Sequence, residues 1–217
     1  MAADKQALQV FVVPHRPARD AEIEENLAGP LKILFSAPGL LKVWKGFKHE
    51  ETYTKVYLLL WKDLAASHAF YTSPDYFTFT TDVQPALNGR KIIWKQHALV
   101  DVGPMSSPKH LESIVNSPAL EVAWTEVVEG KVARYYSQFG KVVAPLLDGE
   151  PGCNGFFISP QIEDPQAQVL LINWDSVDAH HVDFEHRPSF KNCIDALFDC
   201  YAVFVVPWHI MGLHQVK

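Results

Sequence analysis

The sequence predicts an α+β protein made of two tandem ferredoxin-like units, each with the order β-α-β-β-α-β, whose sheets pack face to face as an intrachain α/β-barrel. Three observations support this architecture. The chain repeats itself at one offset, and each copy alternates strand-like and helix-like segments in the same order. The composition is that of a globular protein, with 48% hydrophobic and 20% charged residues among 217.

The internal repeat sets the domain organisation. Trp61 and Trp174 are 113 positions apart (174 − 61), and His68 and His181 share that spacing. The same offset also relates Pro38-Gly39 to Pro151-Gly152, Val56 to Val169 and Phe11 to Trp124, with a one-residue slip at Pro74 and Pro188. We therefore expect a first unit at residues 1–100, a Ser- and Pro-rich linker at 101–118 and a second unit at 119–217.

Each unit begins with a β-branched apolar run that is followed by a segment of helical spacing. The runs at 8–13 and 120–128 predict first strands, and residues 18–35 and 131–147 predict first helices. Pro-Gly turn dipeptides then end these helices and precede the second strands, LLKVWKGF and NGFFIS.

The second part of each unit begins with an apolar third strand that ends at a tryptophan. KVYLLLW ends at Trp61, and QVLLINW ends at Trp174. Asp63 and Ser176 follow at the position of a helix N-cap, and the next apolar residues have helical spacing. KIIWKQHAL and YAVFVVPWHI predict the fourth strands, which complete both copies.

Charge and motif content exclude several classes of function. The net charge is −6 and no Lys/Arg cluster offsets it, which argues against a nucleic-acid partner. The longest apolar runs have the length of strands, not of membrane spans. Phosphate-binding loops and dinucleotide fingerprints are absent, so we expect no nucleotide cofactor. Three cysteines at unrelated spacings and an N-terminus without a signal pattern predict reduced thiols and a cytoplasmic location.

Two equivalent histidines are the main candidates for chemistry. After each third strand, residues at i, i+4 and i+7 predict one helical stripe that faces the sheet, with His180 and Asp183 at the side of the helix. The two stripes are Leu64, His68 and Tyr71 in the first copy, and Val177, His181 and Phe184 in the second. An inward histidine is either a core residue bonded to a backbone carbonyl or a base in a pocket between helix and sheet.

The second copy has further polar residues in this region. Asp178, His181 and Glu185 have i, i+3, i+7 spacing, but no other ligand cluster recurs at short spacing, so we predict no metal site. Asn173 stands where the first copy has Leu60, in an otherwise apolar strand. A buried amide needs a hydrogen-bond partner, so Asn173 indicates either a polar ligand site or a strand end beside the N-cap.

The third-strand and helix segments of both copies resemble the antibiotic biosynthesis monooxygenase family of the dimeric α/β-barrel superfamily. The resemblance rests on Trp174, Ser176, Asp178, Ala179 and His181, followed by residues 187–190, and in the first copy on Trp61, Ala66, His68, Ser73-Pro74 and Phe77. It implies a small aromatic or polyketide-like substrate between sheet and helices. Some members oxidise phenols to quinones with O₂ and no cofactor, and others in the superfamily cyclise polyketides or degrade haem.

The resemblance implies roles for individual residues. It makes His181 and His68 the catalytic bases, with Trp174, Asn173, Trp61, Phe184 and Tyr71 as substrate-binding residues. No inward arginine like that of the oxidising members is evident. Because polar residues are concentrated after position 170, we expect the more active site in the second copy, in a cavity beside Trp174 and Asn173 that is larger than the one at Trp61.

Three functions follow as hypotheses. The first is a cofactor-independent enzyme of secondary metabolism that oxygenates or cyclises an aromatic or polyketide-like compound. The second is a non-catalytic, ligand-binding or stress-related barrel with His68 and His181 in its core, and the third is a haem-binding or haem-degrading protein. The expected assembly is a monomer with an intrachain pseudo-dimer, or a homodimer.

Overall fold

The structure is a computed structural model that describes residues 5–18, 20–87, 89–101 and 103–217. Residues 1–4, Arg19, Asn88 and Val102 lie outside the described residues. Arg19 falls in the predicted first helix, Asn88 in the predicted first unit and Val102 in the predicted linker. The chain divides into two compact units, one formed by residues 1–100 with His214–Lys217 and the other by residues 101–213. Both are α+β units of the ferredoxin-like type.

The first unit has an antiparallel sheet of four strands in the order β4-β1-β3-β2. Its strands are β1 (Ala7–Pro14), β2 (Leu40–Lys48), β3 (Thr54–Trp61) and β4 (Ile93–Leu99). Its helices are α1 (Asp20–Phe35), α2 (Leu64–Tyr71), α3 (Pro74–Asp82) and α4 (Gln84–Leu87). The order β-α-β-β-α-β is that of the split βαβ fold, with the second helical segment broken into three pieces.

The second unit repeats this arrangement with the strand order β8-β5-β7-β6. Its strands are β5 (Ala119–Val127), β6 (Cys153–Pro160), β7 (Ala167–Trp174) and β8 (Tyr201–Gln215). Its helices are α5 (Pro108–Val115), α6 (Val132–Gln138), α7 (Ala144–Asp148) and α8 (Pro188–Leu197). Two π-helical turns, at Phe139–Val143 and Ala179–Asp183, interrupt its helical segments. The predicted packing of the two sheets as one barrel concerns the placement of the units and stays a prediction.

Both predicted N-caps are confirmed. The carboxylate of Asp63 accepts a hydrogen bond from the Ala66 amide at 2.7 Å, and the hydroxyl of Ser176 accepts one from the Ala179 amide at 3.0 Å. The two Pro-Gly turns also have the same backbone conformation, because Gly39 and Gly152 both have φ = +85°. These features begin and end the same elements in each copy.

The strand registers correct the predicted offset of 113 in the first strands. Ala7 lies opposite Trp61, and Ala119 lies opposite Trp174, so the equivalent residues of β1 and β5 are 112 positions apart (119 − 7). Phe11 is therefore equivalent to Ala123, and its predicted pairing with Trp124 is wrong by one residue. Strand side chains alternate between faces, so this shift decides which side chains share a face.

The chain differs from the predicted unit boundaries in two places. Residues 101–118, predicted as a linker, belong to the second unit, where Leu111, Ile114 and Val115 of α5 are buried and the imidazole of His110 hydrogen-bonds to the Phe156 carbonyl. Residues 214–217 belong to the first unit. The sequence of α5 contains enough apolar residues to form a buried helix face. The Ser- and Pro-rich residues on either side of it made the whole segment look like a linker.

Among the described residues, no helix combines the length and the apolar character that crossing a membrane requires. The three cysteines are all free thiols.

Candidate functional site

The second unit contains a cavity of about 190 Å³ between the sheet and its helices. Its floor comes from Glu121 and Ala123 of β5 and from Leu170 and Ile172 of β7. Alternation along these strands turns the four side chains to one face, together with Trp174. The walls are mainly apolar and aromatic, and they include Tyr135, Phe139, Phe184, Phe190, Leu197, Tyr201 and Phe204.

One end of the cavity is polar and is organised around a buried carboxylate. The indole nitrogen of Trp174 donates a hydrogen bond to Oε2 of Glu121 at 2.7 Å, and both side chains are buried. The His180 ring stacks on Trp174 with the ring centroids 5.2 Å apart and an interplanar angle of 12°. Nε2 of His180 lies 3.6 Å from Oε2 of Glu121. Glu121 is thus held from two sides by groups that interact favourably with negative charge.

Two more histidines surround His180. Its Nδ1 is hydrogen-bonded to Nε2 of the buried His209 at 3.0 Å, with one of the two nitrogens donating. The His181 ring stacks on the His180 ring at 4.5 Å, and Nδ1 of His181 lies 3.1 Å from Oε1 of Glu185. Each of the three histidines has a ring nitrogen within 4.8 Å of one from the others, so the cluster could hold a metal ion.

Burial determines the protonation states around the cavity. Burial, reinforced by the neighbouring His209 and His181, lowers the pKa of His180 to about 3, so its imidazole is neutral near pH 7. Burial raises the pKa of Tyr135 and Tyr201, so both phenols stay protonated and can donate hydrogen bonds. Burial also raises the pKa of Cys193 to about 11, which keeps this cavity-lining thiol protonated and poorly nucleophilic.

The first unit has a neutral version of the same arrangement. Trp61 donates a hydrogen bond to Oε1 of Gln9 at 3.2 Å, and the Tyr71 hydroxyl donates to the same oxygen at 2.8 Å. Oγ of Ser67 is hydrogen-bonded to Nε2 of His97 at 2.7 Å. By strand register and helix position, Gln9 is equivalent to Glu121, Ser67 to His180 and His97 to His209.

The structure brings only some of the predicted site residues together. Phe184 lines the cavity, and Trp174 packs against it with the ring centroids 5.2 Å apart. His181 is half-buried behind His180, and it touches the site through the His180 ring and Glu185. Trp61 and Tyr71 meet at Gln9 in the first unit.

Two predicted residues lie away from these clusters. The predicted inward orientation of His68 is wrong, because His68 is exposed while Ser67 and Phe70 are the buried residues of α2. Asn173 lies on the opposite face of β7 from Trp174. There its amide nitrogen donates to the Ser113 carbonyl at 3.4 Å, and its amide oxygen accepts from Asn154 at 3.5 Å. Its hydrogen-bond partners are therefore protein groups outside the cavity.

The reason for the wrong face is a shift of one residue along the helix. The buried histidine is His180, which directly follows Ala179, and not its neighbour His181. The spacing from Ser67 to Phe70 is three residues, whereas the spacing from His180 to Phe184 is four, and the π-helical turn at Ala179–Asp183 accommodates the difference. A stripe based on uniform helical spacing cannot represent this turn in the second unit, and in the regular helix α2 the predicted stripe lies one residue too far along the chain.

Sequence reasoning missed Glu121 and His209. Glu121 is a charged residue inside the apolar strand LEVAWTEVV, and a buried charge of this kind needs partners. That signal could have identified it. His209 follows Trp208 in the last strand, and its proximity to His180 comes only from the pairing of β8 with β5.

Comparisons with known proteins agree with this fold. A family model described as antibiotic biosynthesis monooxygenase matches residues 119–196. The chain is similar in structure to an anthrone oxidase-like protein, with a TM-score of 0.64, 10% identity and coverage of 99% of this chain and 94% of that one. It is also similar to a candidate monooxygenase of Fusobacterium nucleatum, with a TM-score of 0.61, 12% identity and coverage of 99% and 95%. No curated protein matches the chain significantly. At these identities the structural likeness shows the fold alone.

Proposed function

The second unit of this chain belongs to the antibiotic biosynthesis monooxygenase family, and we propose that it oxygenates a small hydroxylated aromatic compound with O₂ and without an organic cofactor. The observation that carries this proposal is the apolar cavity that ends at the Glu121 carboxylate, which Trp174 and His180 hold in place.

The cavity fits an aromatic substrate in size and in chemistry. An apolar cavity of about 150 Å³ is known to bind benzene, so about 190 Å³ accepts a substituted single ring as it stands, and a compound of three fused rings requires the cavity walls to move apart. Aromatic walls favour flat ligands through offset or edge-to-face contacts. The polar groups concentrate at one end, which would orient a ring hydroxyl towards Glu121. A haem, with its four pyrrole rings, is larger than this cavity.

In the proposed reaction, Glu121 accepts the proton of the substrate hydroxyl. The Trp174 N–H and the neutral His180 ring fix the carboxylate, so its lone pairs face a defined position in the cavity. The resulting substrate anion is the electron donor, and it reduces O₂ to form a peroxide at the activated ring carbon. Loss of water then gives the quinone. The hydroxyl hydrogen and the hydrogen of the attacked ring carbon leave as water with one oxygen atom of O₂, and the other oxygen atom becomes the new C=O. The substrate thus supplies all the electrons, and Glu121 returns its proton to the departing oxygen.

The same groups also suit an acid–base cyclisation. Glu185 lines the cavity near His180, with Oε1 at 3.6 Å from Nε2, so a second carboxyl group is present that could deliver a proton in its protonated form. Such a reaction forms a carbon–carbon bond with loss of water and consumes no O₂. Oxygen consumption therefore separates the two reactions.

Dithranol, a dihydroxylated anthrone, is a suitable probe because one structural relative is described as anthrone oxidase-like. We expect the wild-type protein to accelerate O₂ uptake and quinone formation above the spontaneous rate. Glu121→Gln keeps an oxygen acceptor for Trp174 and reproduces Gln9 of the first unit, but it removes the base. Turnover should fall by about 10²-fold or more, in line with the usual contribution of a positioned base.

The matched control is Glu126→Gln, since Glu126 lies on the same strand with its side chain on the other face. This control should keep wild-type turnover. Full activity in Glu121→Gln would refute the assignment of the base. Absence of O₂ uptake above the spontaneous rate would contradict oxygenation, and binding of dithranol with no turnover would support a ligand-binding protein.

A further inference from the structure

We propose that His180, His181 and His209 form a binding site for one divalent first-row transition-metal ion, such as Zn²⁺. This inference goes beyond the proposed reaction and does not rest on it, because it follows from the positions of the side chains alone.

The distances between the ring nitrogens suit a single ion. Zinc bound to imidazole at about 2.0–2.1 Å places two tetrahedral ligand atoms about 3.4 Å apart. Nδ1 of His180 and Nε2 of His209 are 3.0 Å apart, so both can reach one ion with only a small separation of the rings. One ring nitrogen of each of the three histidines lies within 4.8 Å of those of the other two, and His181 is half-buried, so its side chain can rotate to complete the site.

The remaining nitrogens of two rings face carboxylates. Nε2 of His180 lies 3.6 Å from both Glu121 and Glu185, and Nδ1 of His181 lies 3.1 Å from Glu185. Metal-binding histidines usually donate their second N–H to a carboxylate, which fixes the ring and makes it a stronger ligand. With the Nε2 proton of His180 directed at a carboxylate, its Nδ1 carries no proton and can bind the ion once His209 gives up its Nε2 proton. The two carboxylates also offset the charge of the ion.

Metal binding and the proposed oxygenation compete for the same ring. An ion on Nδ1 of His180 would withdraw electron density from the ring and strengthen the hold of its Nε2–H on Glu121, which lowers the ability of that carboxylate to accept a substrate proton. The ion is thus an inhibitor of the proposed reaction and not its cofactor. The first unit has Ser67 in place of the central histidine, which provides a natural substitution for testing the site.

Zn²⁺ binding to the metal-free protein can be measured by calorimetry, and Co²⁺ binding by visible absorption. We expect one ion in this cluster and the absorption bands of nitrogen-coordinated Co²⁺. His181→Ala, at a half-buried position that should not unfold the protein, and His180→Ser should each weaken binding by at least about 10²-fold. Glu185→Gln should weaken it by about 10- to 100-fold, the usual effect of removing a carboxylate behind a ligand.

His68→Ala is the matched control, since His68 is the exposed counterpart in the first unit. It should leave binding in the second unit unchanged. The proposal is overturned if the protein binds neither ion, if His181→Ala and His180→Ser bind as tightly as the wild type, or if only His68→Ala abolishes binding. None of these measurements uses turnover. A negative dithranol assay would therefore leave the metal site untouched, and a failure to bind metal would leave the proposed oxygenation untouched.

Discussion

At the scale of single residues, the two units differ in whether equivalent polar positions can carry charge. Gln9 and Ser67 of the first unit correspond to Glu121 and His180 of the second, while the hydrogen bond from a tryptophan to the strand residue is kept in both. The packing that holds the site is therefore present twice. The second unit places the ionisable side chains of Glu121 and His180 beside Trp174, whereas Gln9 and Ser67 of the first unit are not ionisable.

Two glycines are required at equivalent turns because of their conformation and a close contact. Gly39 and Gly152 have positive φ, and an added Cβ would lie 2.5 Å from the Ala66 Cβ and 2.9 Å from the Ala179 Cβ, respectively. We expect Gly152→Ala to lower the free energy of unfolding by at least about 1–2 kcal/mol from the left-handed conformation, plus the clash. Gly39→Ala should cost more, since its contact is shorter.

Chemical denaturation of both variants would measure these costs, with Gly140→Ala as the control. Gly140 is exposed in the helical turn Phe139–Val143 with nothing within 4 Å of its added Cβ, so the change should stabilise the protein by about 0.5–1 kcal/mol. Equal effects of all three substitutions would contradict the role assigned to the turns.

The sequence was informative about single residues where the signal is local. Asp63 and Ser176 as N-caps follow from residue type and position, and the burial of Trp61 and Trp174 follows from their apolar strands. The partners of His180 were not predictable in this way. His209 reaches it from the last strand, 29 residues further along the chain, through a pairing that no spacing encodes.

At the scale of elements, the second unit accommodates two extra residues in π-helical turns. The offset between the copies grows from 112 at Ala7 and Ala119 to 113 at Trp61 and Trp174, and a π-helical turn at Phe139–Val143 lies between these points. The turn at Ala179–Asp183 then precedes the slip to 114 at Pro74 and Pro188. Element order was predictable from apolar periodicity, but these turns were not, because they break that periodicity.

Deletion of Val182 should convert the second π-helical turn into a regular helix. Val182 is 59% exposed, and its loss would give His180 and Phe184 the three-residue spacing of Ser67 and Phe70. We expect the variant to fold, with a melting temperature within a few degrees of the wild type, because Phe184 can keep its contact with Trp174.

The deletion should nevertheless weaken Zn²⁺ binding by at least about tenfold, because His181 would rotate away from His209 towards the exposed position of His68. Calorimetry on the deletion variant and on Val182→Ala, which keeps the chain length, would show this. Unchanged Zn²⁺ affinity in a folded deletion variant would mean that the turn does not position His181.

At the scale of the whole molecule, the last four residues of the chain complete the first unit. The Val43 amide donates to the Lys217 carbonyl at 3.2 Å, the Val43 carbonyl accepts from the Val216 amide at 2.8 Å, and the Lys217 ammonium donates to the Phe35 carbonyl. Backbone hydrogen bonds of this kind protect a strand edge from solvent.

Removal of residues 214–217 should therefore affect the first unit selectively. We expect the Val43 amide to exchange with deuterium faster by tenfold or more, since it loses its acceptor, while the amides of β5 keep their wild-type rates. Hydrogen exchange followed by mass spectrometry would test this. Faster exchange throughout β5 would indicate that the four residues support the second unit instead.

The position of the extra residues bears on how two units of one fold can differ in length. An insertion within a strand reverses the faces of all later side chains in that strand, which would exchange core and surface. An insertion within a helix can be confined to a single wide turn, and the residues beyond it keep their packing. Helices are therefore the segments in which a gene copy can gain a codon and survive selection for folding. In this chain one wide turn lies at Ala179–Asp183, where the His181 ring stacks on His180 and lies against Glu185, so the two units differ there in length as well as in residue type.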